Sequence, residues 1–376
     1  MEETDFVIVG GGVYGAALAY ELVAGGSSVT LLEAGTLGSR ASGGPGKRGV
    51  RANQRNSREL TLARDSLAVW PTLADDLDGD TGFERLGGLL VVESMPEFND
   101  VGVDEADAHL QLQAAHGIKC ERVDRSGLEE LEPGLAESEI AAVFCPDEGI
   151  ADQQSTTRAY AAAADRRGAS IREFTAVDAV GTGSRPFVRL SDGSTVQAGR
   201  AVVLATNYGT NALLKRSGQQ QLPVWTQTPQ VLLFKAKGGY QPRHLVNHLH
   251  KPLSVKPLAD SITMISGGSQ GRWDSVAEEG SAVEEAIGWS RDVAGSVFPE
   301  LGEGEVVEAD AGRPETYSPD GLPYIDFIDA DRKILLAAGW SGHGFAIAPA
   351  VAHYIAQWLV TGDKPDLLSP FTVRRT

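Results

Sequence analysis

Four apolar residues, Phe6 to Val9, stand together near the start of the chain. A run that short, without polar alternation, predicts a strand buried on both faces. After a glycine turn, Ala16 to Val23 reads as a helix with Ala19 and Leu22 facing the sheet. Gly25-Gly26 stops it, and Val29 to Leu32 predicts a second buried strand. Farther on, Leu60, Leu62, Leu67, Trp70 and Leu73 mark a helical stretch, and residues 83–93 suggest a hairpin or strand pair. Residues 104–133 read as a helix followed by the polar turn LEELEPGL, and 155–167 as an Ala-rich helix. Strands are expected at 176–180, 187–190 and 201–205, with Asp192-Gly193 as a hairpin turn. Segments 223–234 and 253–267 suit strands of a larger sheet, and 281–297 an amphipathic helix. A last strand is expected at 334–338 and a last helix at 348–360, with Pro349 in its first turn.

This is an α/β pattern (α+β overall) with β-rich interruptions. It predicts a Rossmann-like cofactor domain assembled from discontinuous segments, with an inserted β-sheet-rich substrate domain. The expected division is 1–80, 146–218 and 306–376 for the cofactor domain, and 81–145 and 219–305 for the insert. The 376 residues suffice for two such units. With 51 acidic against 33 basic residues, the net charge of −18 argues against nucleic acid or anionic lipid as a partner. No apolar stretch near the N-terminus is long enough to span a membrane. Two cysteines, Cys120 and Cys145, make no disulfide framework, and a strand starting by residue 6 leaves no room for a leader. A reducing cytoplasm is the expected location.

The chemistry begins in the first βαβ unit. Gly10, Gly12 and Gly15 have G-x-G-x-x-G spacing, and Glu33 closes the second strand. Gly10 permits the tight turn, Gly12 lets backbone approach a pyrophosphate, and Gly15 lets helix and strand meet closely. The helix N-terminus at Val13-Tyr14 offers free N–H groups and a positive dipole end to phosphate. Glu33, followed by Ala34, is placed to accept hydrogen bonds from ribose hydroxyls. The unit predicts one bound dinucleotide. A second glycine turn, needed if a nicotinamide cofactor also bound, is missing: Gly181-Thr-Gly183 runs into Pro186 with no helix after it.

Other segments carry a resemblance. They are the basic loop GPGKRGVRAN, PDEGIADQ (146–153), VVLATN (202–207), and GRPETYSPDGLPYI (312–325) followed by AAGWSGHGFAIAPAV (337–351). With the fingerprint, they make the chain resemble, over nearly its whole length, the FAD-dependent amine and amino-acid oxidases. That family includes D-amino-acid oxidase, glycine oxidase and monomeric sarcosine oxidase. The resemblance implies FAD as the dinucleotide, and oxidation of a C–N bond of an amine or amino acid with hydride passing to flavin N5. It leaves open whether electrons then reach oxygen, giving hydrogen peroxide, or a carrier or partner subunit, as in a dehydrogenase. A flavin-binding interaction protein without turnover is a third reading.

The resemblance also assigns residues. Ser42, Gly43, Lys47, Arg48 and Gly49 of the basic loop, with Thr206 of the strand end, are expected to contact FAD. So are Arg313 and the run Gly342, His343, Gly344, Phe345 and Ala346. Arg48 and Arg51 match an arginine pair at the flavin and join His343 as catalytic candidates. Arg51, Arg313 and Tyr208 are candidates for binding substrate, because a guanidinium fork suits a carboxylate. The chain departs from sarcosine oxidase in three places. Ala346 replaces a lysine after GHGF. No cysteine lies near GRPET, so FAD is expected to be non-covalent. No lysine falls in SITMISGG (261–268), though Lys256 and Lys47 lie near these segments. Trp225, Tyr240 and Tyr317 are weaker pocket candidates. His244, His248 and His250 have a superficially metal-like spacing, but no cysteine or acidic pattern completes a site, and no metal is expected. Ser341 lacks a nucleophile elbow.

Overall fold

A computed structural model of the chain describes residues 4–95 and 101–375. Two large sheets organise it. The first runs Tyr324–Phe327, Ile334–Ala338, Thr195–Leu204, Thr4–Val9, Val29–Leu32, Ser170–Arg172, parallel except at the Tyr324–Phe327 edge. Its central strands bury both faces, as the continuous apolar runs require. Phe6 and Ile8 point into the core under helices Val13–Ala24, Gln153–Arg166 and Gly344–Thr361, while Val7 and Val9 enter a second core with Val188, Val202 and Leu214. The meander Val177–Thr182, Pro186–Leu190 feeds that second face.

The second sheet is ordered Gly304–Asp310, Val231–Ala236, Thr263–Ser266, Ser254–Pro257, Leu245–His248, Gly88–Glu93, Glu139–Cys145, Glu121–Asp124. Its two faces alternate with period 2. Leu232, Val255 and Ile265 pack with Ala294 and Val297 of helix Glu284–Val297. The residues between them turn the other way. Ser254 pairs with Ser266 and Lys256 with Met264, and all four face a large cavity between the sheets.

Several expectations shift. Residues 83–93 hold one strand, Gly88–Glu93, because Gly87 takes a positive φ of 75° and Gly88 must leave room for the Glu148 carboxylate, 1.8 Å from where a Cβ would stand. The stretch 104–133 contains an extra strand, Glu121–Asp124, and a helix, Arg125–Leu131, capped by Asp124 accepting from the Gly127 N–H at 3.0 Å. Half of the expected LEELEPGL turn is therefore helical. Strand Gly304–Asp310 pairs with Val231–Ala236 across the expected boundary at 305/306. The last helix begins at Gly344, not 348, because Ser341 and Gly342, with φ of 52° and 80°, already turn the chain into it. Pro349 consequently lies in its second turn.

Candidate active site

Between the sheets lies a cavity of about 1220 Å³, larger than the roughly 300–1,000 Å³ of an ordinary small-molecule site. One end is the glycine turn. Gly10 has a φ of 106°, and a Cβ there would lie 2.6 Å from the Ala205 carbonyl oxygen. A Cβ on Gly15 would lie 1.8 Å from the Gly10 oxygen, so the helix crosses the strand at backbone contact. A Cβ on Gly12 would meet no protein atom within 4 Å; it would project into open space at the helix N-terminus. The Glu33 carboxylate, on the cavity wall, accepts the Gly11 and Gly35 N–H groups at 2.6 and 2.8 Å. Each oxygen retains lone-pair capacity for a hydroxyl.

The other end is the turn before helix Gly344–Thr361. Its first N–H groups have no partner within the helix, and Gly344, Phe345 and Ala346 line the cavity. Tyr14 joins the two ends. Its ring stacks on Trp340 at 3.7 Å, and its hydroxyl donates to the Gly344 oxygen at 2.6 Å. Glu315, buried, ties three loops together. It accepts from Ser42 Oγ at 2.7 Å and Asn207 Nδ2 at 2.6 Å, and the Gly342 backbone N–H points toward it. Burial raises its pKa against these bonds.

Near this end three basic groups share the wall. Arg51 donates one N–H to the Asn53 oxygen. Burial, then the neighbouring Arg55, lower its pKa to about 10, so it stays a cation at neutral pH. Burial and the charges of Arg51 and Arg55 push His343 down to about 3, leaving its imidazole neutral. Lys256 bonds only Ser254 Oγ at 3.0 Å and Ser266 Oγ at 2.9 Å among the described residues. Burial, with Arg48 and Arg51 nearby, lowers it to about 7.

A family model described as FAD dependent oxidoreductase matches residues 5–358. The chain belongs to this family. It is 28% identical over 383 residues to glycine oxidase of Geobacillus kaustophilus, covering 99% of this chain and 97% of that one. It is 27% identical over 392 residues to an opine oxidase subunit of Rhizobium meliloti, covering 100% and 98%. The solved structure of L-proline dehydrogenase from P. horikoshii superposes with a TM-score of 0.86 at 22% identity, covering 100% and 98% of the two chains, and so shares the fold.

The cavity suits the FAD of this FAD-dependent oxidoreductase. Gly12 and the first helix N-terminus fit a pyrophosphate, Glu33 a ribose, and the second helix N-terminus the polar edge of a ring that becomes anionic on reduction. Of the expected cofactor contacts, Gly10, Gly12, Val13, Tyr14, Glu33, Ala34, Ser42, Gly43, Arg48, Gly49, Thr206 and residues 342–346 line the cavity. Three do not. Gly15 acts through the helix crossing alone. Lys47 turns away to the Gly82 oxygen at 2.8 Å and to Glu84. Arg313 donates to the Gly44 oxygen at 3.1 Å and braces the loop from behind. Arg48 lines the wall, but its guanidinium is spent on the carbonyls of Ser42, Gly44 and Gly46; it shapes the loop.

Substrate candidates separate likewise. Arg51 stands with His343 and Lys256. Tyr208 also lines the cavity, edge-on to Trp273 at 5.3 Å and beside Glu278, which is 4.0 Å from Arg40. Tyr317 is nearer the reacting end, its hydroxyl 3.8 Å from where a Gly342 Cβ would be. Trp225 and Tyr240 lie outside the lining. The sequence pattern alone did not single out Arg55, Glu148 or Glu315. Arg55 donates to the Arg51 oxygen at 2.7 Å and the His343 oxygen at 2.9 Å, with Glu59 buried 3.7 Å behind it. Glu148 sits inside the PDEGIADQ segment, and Glu315 inside GRPET; both were legible as motif members but not as acceptors. Thr175 to Val177 line the Glu33 end, and no signal marked the three-residue strand before them.

The histidines are spent elsewhere. His248 is buried, with Glu93 and Glu139 close enough to share an ion. Its Nδ1 accepts the His250 and Lys251 N–H groups at 3.0 and 2.9 Å, which places its proton on Nε2, facing Glu139 at 3.3 Å. The Lys251 ammonium is 2.6 Å from Glu93 and 3.6 Å from Glu139. An internal cation therefore already serves these carboxylates. No helix among the described residues is long and apolar enough to cross a membrane.

Proposed function

We propose that this chain oxidises the C–N bond of a small amino acid or N-alkyl amino acid. Arg51 carries the reading: a half-buried cation on the cavity wall with one N–H committed to Asn53 and others left for a carboxylate. Residues 81–145 and about 219–310 would form the substrate unit, and the rest the cofactor unit.

Bound FAD supplies the acceptor for the substrate's α-hydride, and water then hydrolyses the resulting imine. The protein's part is placement. Arg51 fixes the carboxylate, and Tyr317 with the second sheet closes the far wall. The amine must lose a proton before its hydride leaves. Lys256 Nζ, at about pKa 7, is the nearby nitrogen suited to take it. Neutral His343 serves as a hydrogen-bonding group without adding positive charge. FAD is expected to be non-covalent: the cysteine that a thioether link would need is missing from the cavity wall among the described residues. Reoxidation by oxygen, releasing peroxide, is the favoured half-reaction. Transfer to a partner subunit is the second reading, supported by the relative named as an opine oxidase subunit. Two free cysteines suit a cytoplasmic setting.

Anaerobic bleaching of the yellow protein by glycine, D-, L- and N-methyl amino acids, with matched amines lacking the carboxylate, tests the donor class. Bleaching by amines alone, or by none of the panel, would overturn it. Peroxide measured per turnover in air separates the two reoxidation readings.

A further inference from the structure

Cys120 immediately precedes strand Glu121–Asp124, and Cys145 ends strand Glu139–Cys145. These strands are antiparallel, with Glu121 opposite Phe144. The next pair outward is Cys120 and Cys145. Facing residues in such a ladder have Cα atoms about 4.5–5.5 Å apart, inside the roughly 4.4–6.8 Å that a disulfide spans. Both sulfurs lie under helix Val101–Ala115: Cys120 Sγ is 3.8 Å from the Leu110 oxygen, and Cys145 Sγ is 3.2 Å from Gln113 Oε1. Both thiols are free, Cys145 buried and Cys120 half-buried.

Cys145 also starts a buried chain of hydrogen bonds. Its S–H donates to Gln113 Oε1, and Gln113 Nε2 donates to Asn53 Oδ1 at 2.9 Å. Asn53 Nδ2 donates to Glu148 Oε2 at 3.3 Å, and Glu148 Oε1 accepts the Ala52 and Asn53 N–H groups, each at 2.7 Å. Arg51 is the next residue back and bonds the Asn53 oxygen. The dithiol is thus wired to the loop that carries the substrate arginine.

We propose that Cys120 and Cys145 form a peroxide-sensitive dithiol whose oxidation loosens the Arg51 loop. The Cys120 thiolate, the less buried of the two, attacks one peroxide oxygen. The O–O bond breaks, hydroxide leaves and a sulfenic acid forms. Cys145 then attacks that sulfur and expels water. Two thiols and one hydrogen peroxide become one disulfide and two waters. Cys120 is the half-buried member of the pair and Cys145 the buried one, so peroxide reaches Cys120 first. In the disulfide, Cys145 has no S–H. Gln113 Oε1 loses its donor in a site where water does not reach, and the strain passes to Asn53 and residues 51–53. The assignment rests on the proposed function only in naming peroxide as the natural oxidant.

The test uses the holoenzyme with added hydrogen peroxide and no substrate, so it stands apart from the donor question. Thiol counting and peptide mass spectrometry should show two thiols lost per chain, a Cys120–Cys145 cross-linked peptide about 2 Da lighter than the two thiols, and reversal by dithiothreitol. Cys145→Ser should stop at a sulfenic acid on Cys120 that dimedone traps. Amide hydrogen exchange in residues 48–56 should speed up several-fold on oxidation of the parent, and stay unchanged in peroxide-treated Cys120→Ser. Thiols that stay free, or that over-oxidise singly without cross-linking, would overturn the dithiol. A disulfide that leaves exchange at 48–56 unaltered would overturn its link to the loop.

Discussion

Replacing Arg51 with methionine keeps the aliphatic bulk of the side chain and removes its charge and donors. One N–H is committed to the Asn53 oxygen, so two parallel bonds to a carboxylate are the most the remaining fork offers. Hydrogen bonds to charged groups contribute about 1.5–3 kcal/mol each, a gross loss of about 3–6 kcal/mol. Lys256, on the same wall, recovers part of that in the fraction of molecules in which it is protonated, its pKa being about 7. A net loss of about 2–4 kcal/mol corresponds to roughly a 30- to 900-fold fall in kcat/KM. The assay is stopped-flow reduction of the bound flavin without oxygen, with an amino acid and its decarboxylated amine in parallel. Glu148, which faces Arg51 from behind, loses a favourable neighbour, so flavin content and Tm must be checked first. The amine should react equally with parent and variant. Equal losses for both donors, or no loss for the amino acid, would refute Arg51 as the carboxylate anchor.

Three further outcomes follow from the same geometry. Gly12→Ala should fold with a Tm close to the parent but bind FAD on the order of tenfold or more weakly, whereas Gly15→Ala, with its Cβ 1.8 Å from the Gly10 oxygen, should fail to fold or to hold flavin at all; melting curves with flavin fluorescence distinguish them. Glu315→Ala leaves the Ser42 and Asn207 donors unpaired at about 1–3 kcal/mol each, so FAD dissociation should rise by roughly one to two orders of magnitude, read by equilibrium dialysis, with Glu315→Gln closer to the parent. Lys256 falls from 10.5 to about 7 in the folded chain, so the unfolded chain binds the extra proton between those values and stability rises with pH across that window. Lys256→Met should therefore gain most over the parent, in Tm, at pH 7 and below, and lose that gain by pH 10 to 11; a difference constant across pH would contradict the shift.

What the sequence disclosed and what it concealed divide along physical lines. The first βαβ unit was legible because every constraint on it is local: a four-residue apolar run, three glycines at fixed spacing, a second run, an acid. The 342–346 turn was legible through its glycines and the strand before it. Where Arg313 and Lys47 point was not legible, because a guanidinium or ammonium reaches several ångströms in any direction, and spacing does not say which carbonyl it finds. Glu148 and Glu315 were hidden for the converse reason. Their partners are 95 and 108 residues away for the Asn53 and Asn207 bonds, so only the folded chain reveals them as acceptors. Lys256 sits one residue from the apolar Val255, and that alternation selects its face only once the sheet's two sides are known.

The Tyr14 hydroxyl bonds an oxygen 330 positions further along the chain. That single contact sets an order of events during synthesis. The glycine turn emerges long before strand Ile334–Ala338 and helix Gly344–Thr361, which complete its site. A nascent chain released before that strand and helix would have the phosphate end of the site without its counterpart. Its central sheet would also lack a parallel neighbour beside Thr195–Leu204, and such long-range parallel pairing forms slowly. Flavin capture is therefore expected to wait for that strand and helix, and cofactor supply to act on the chain only after they have docked.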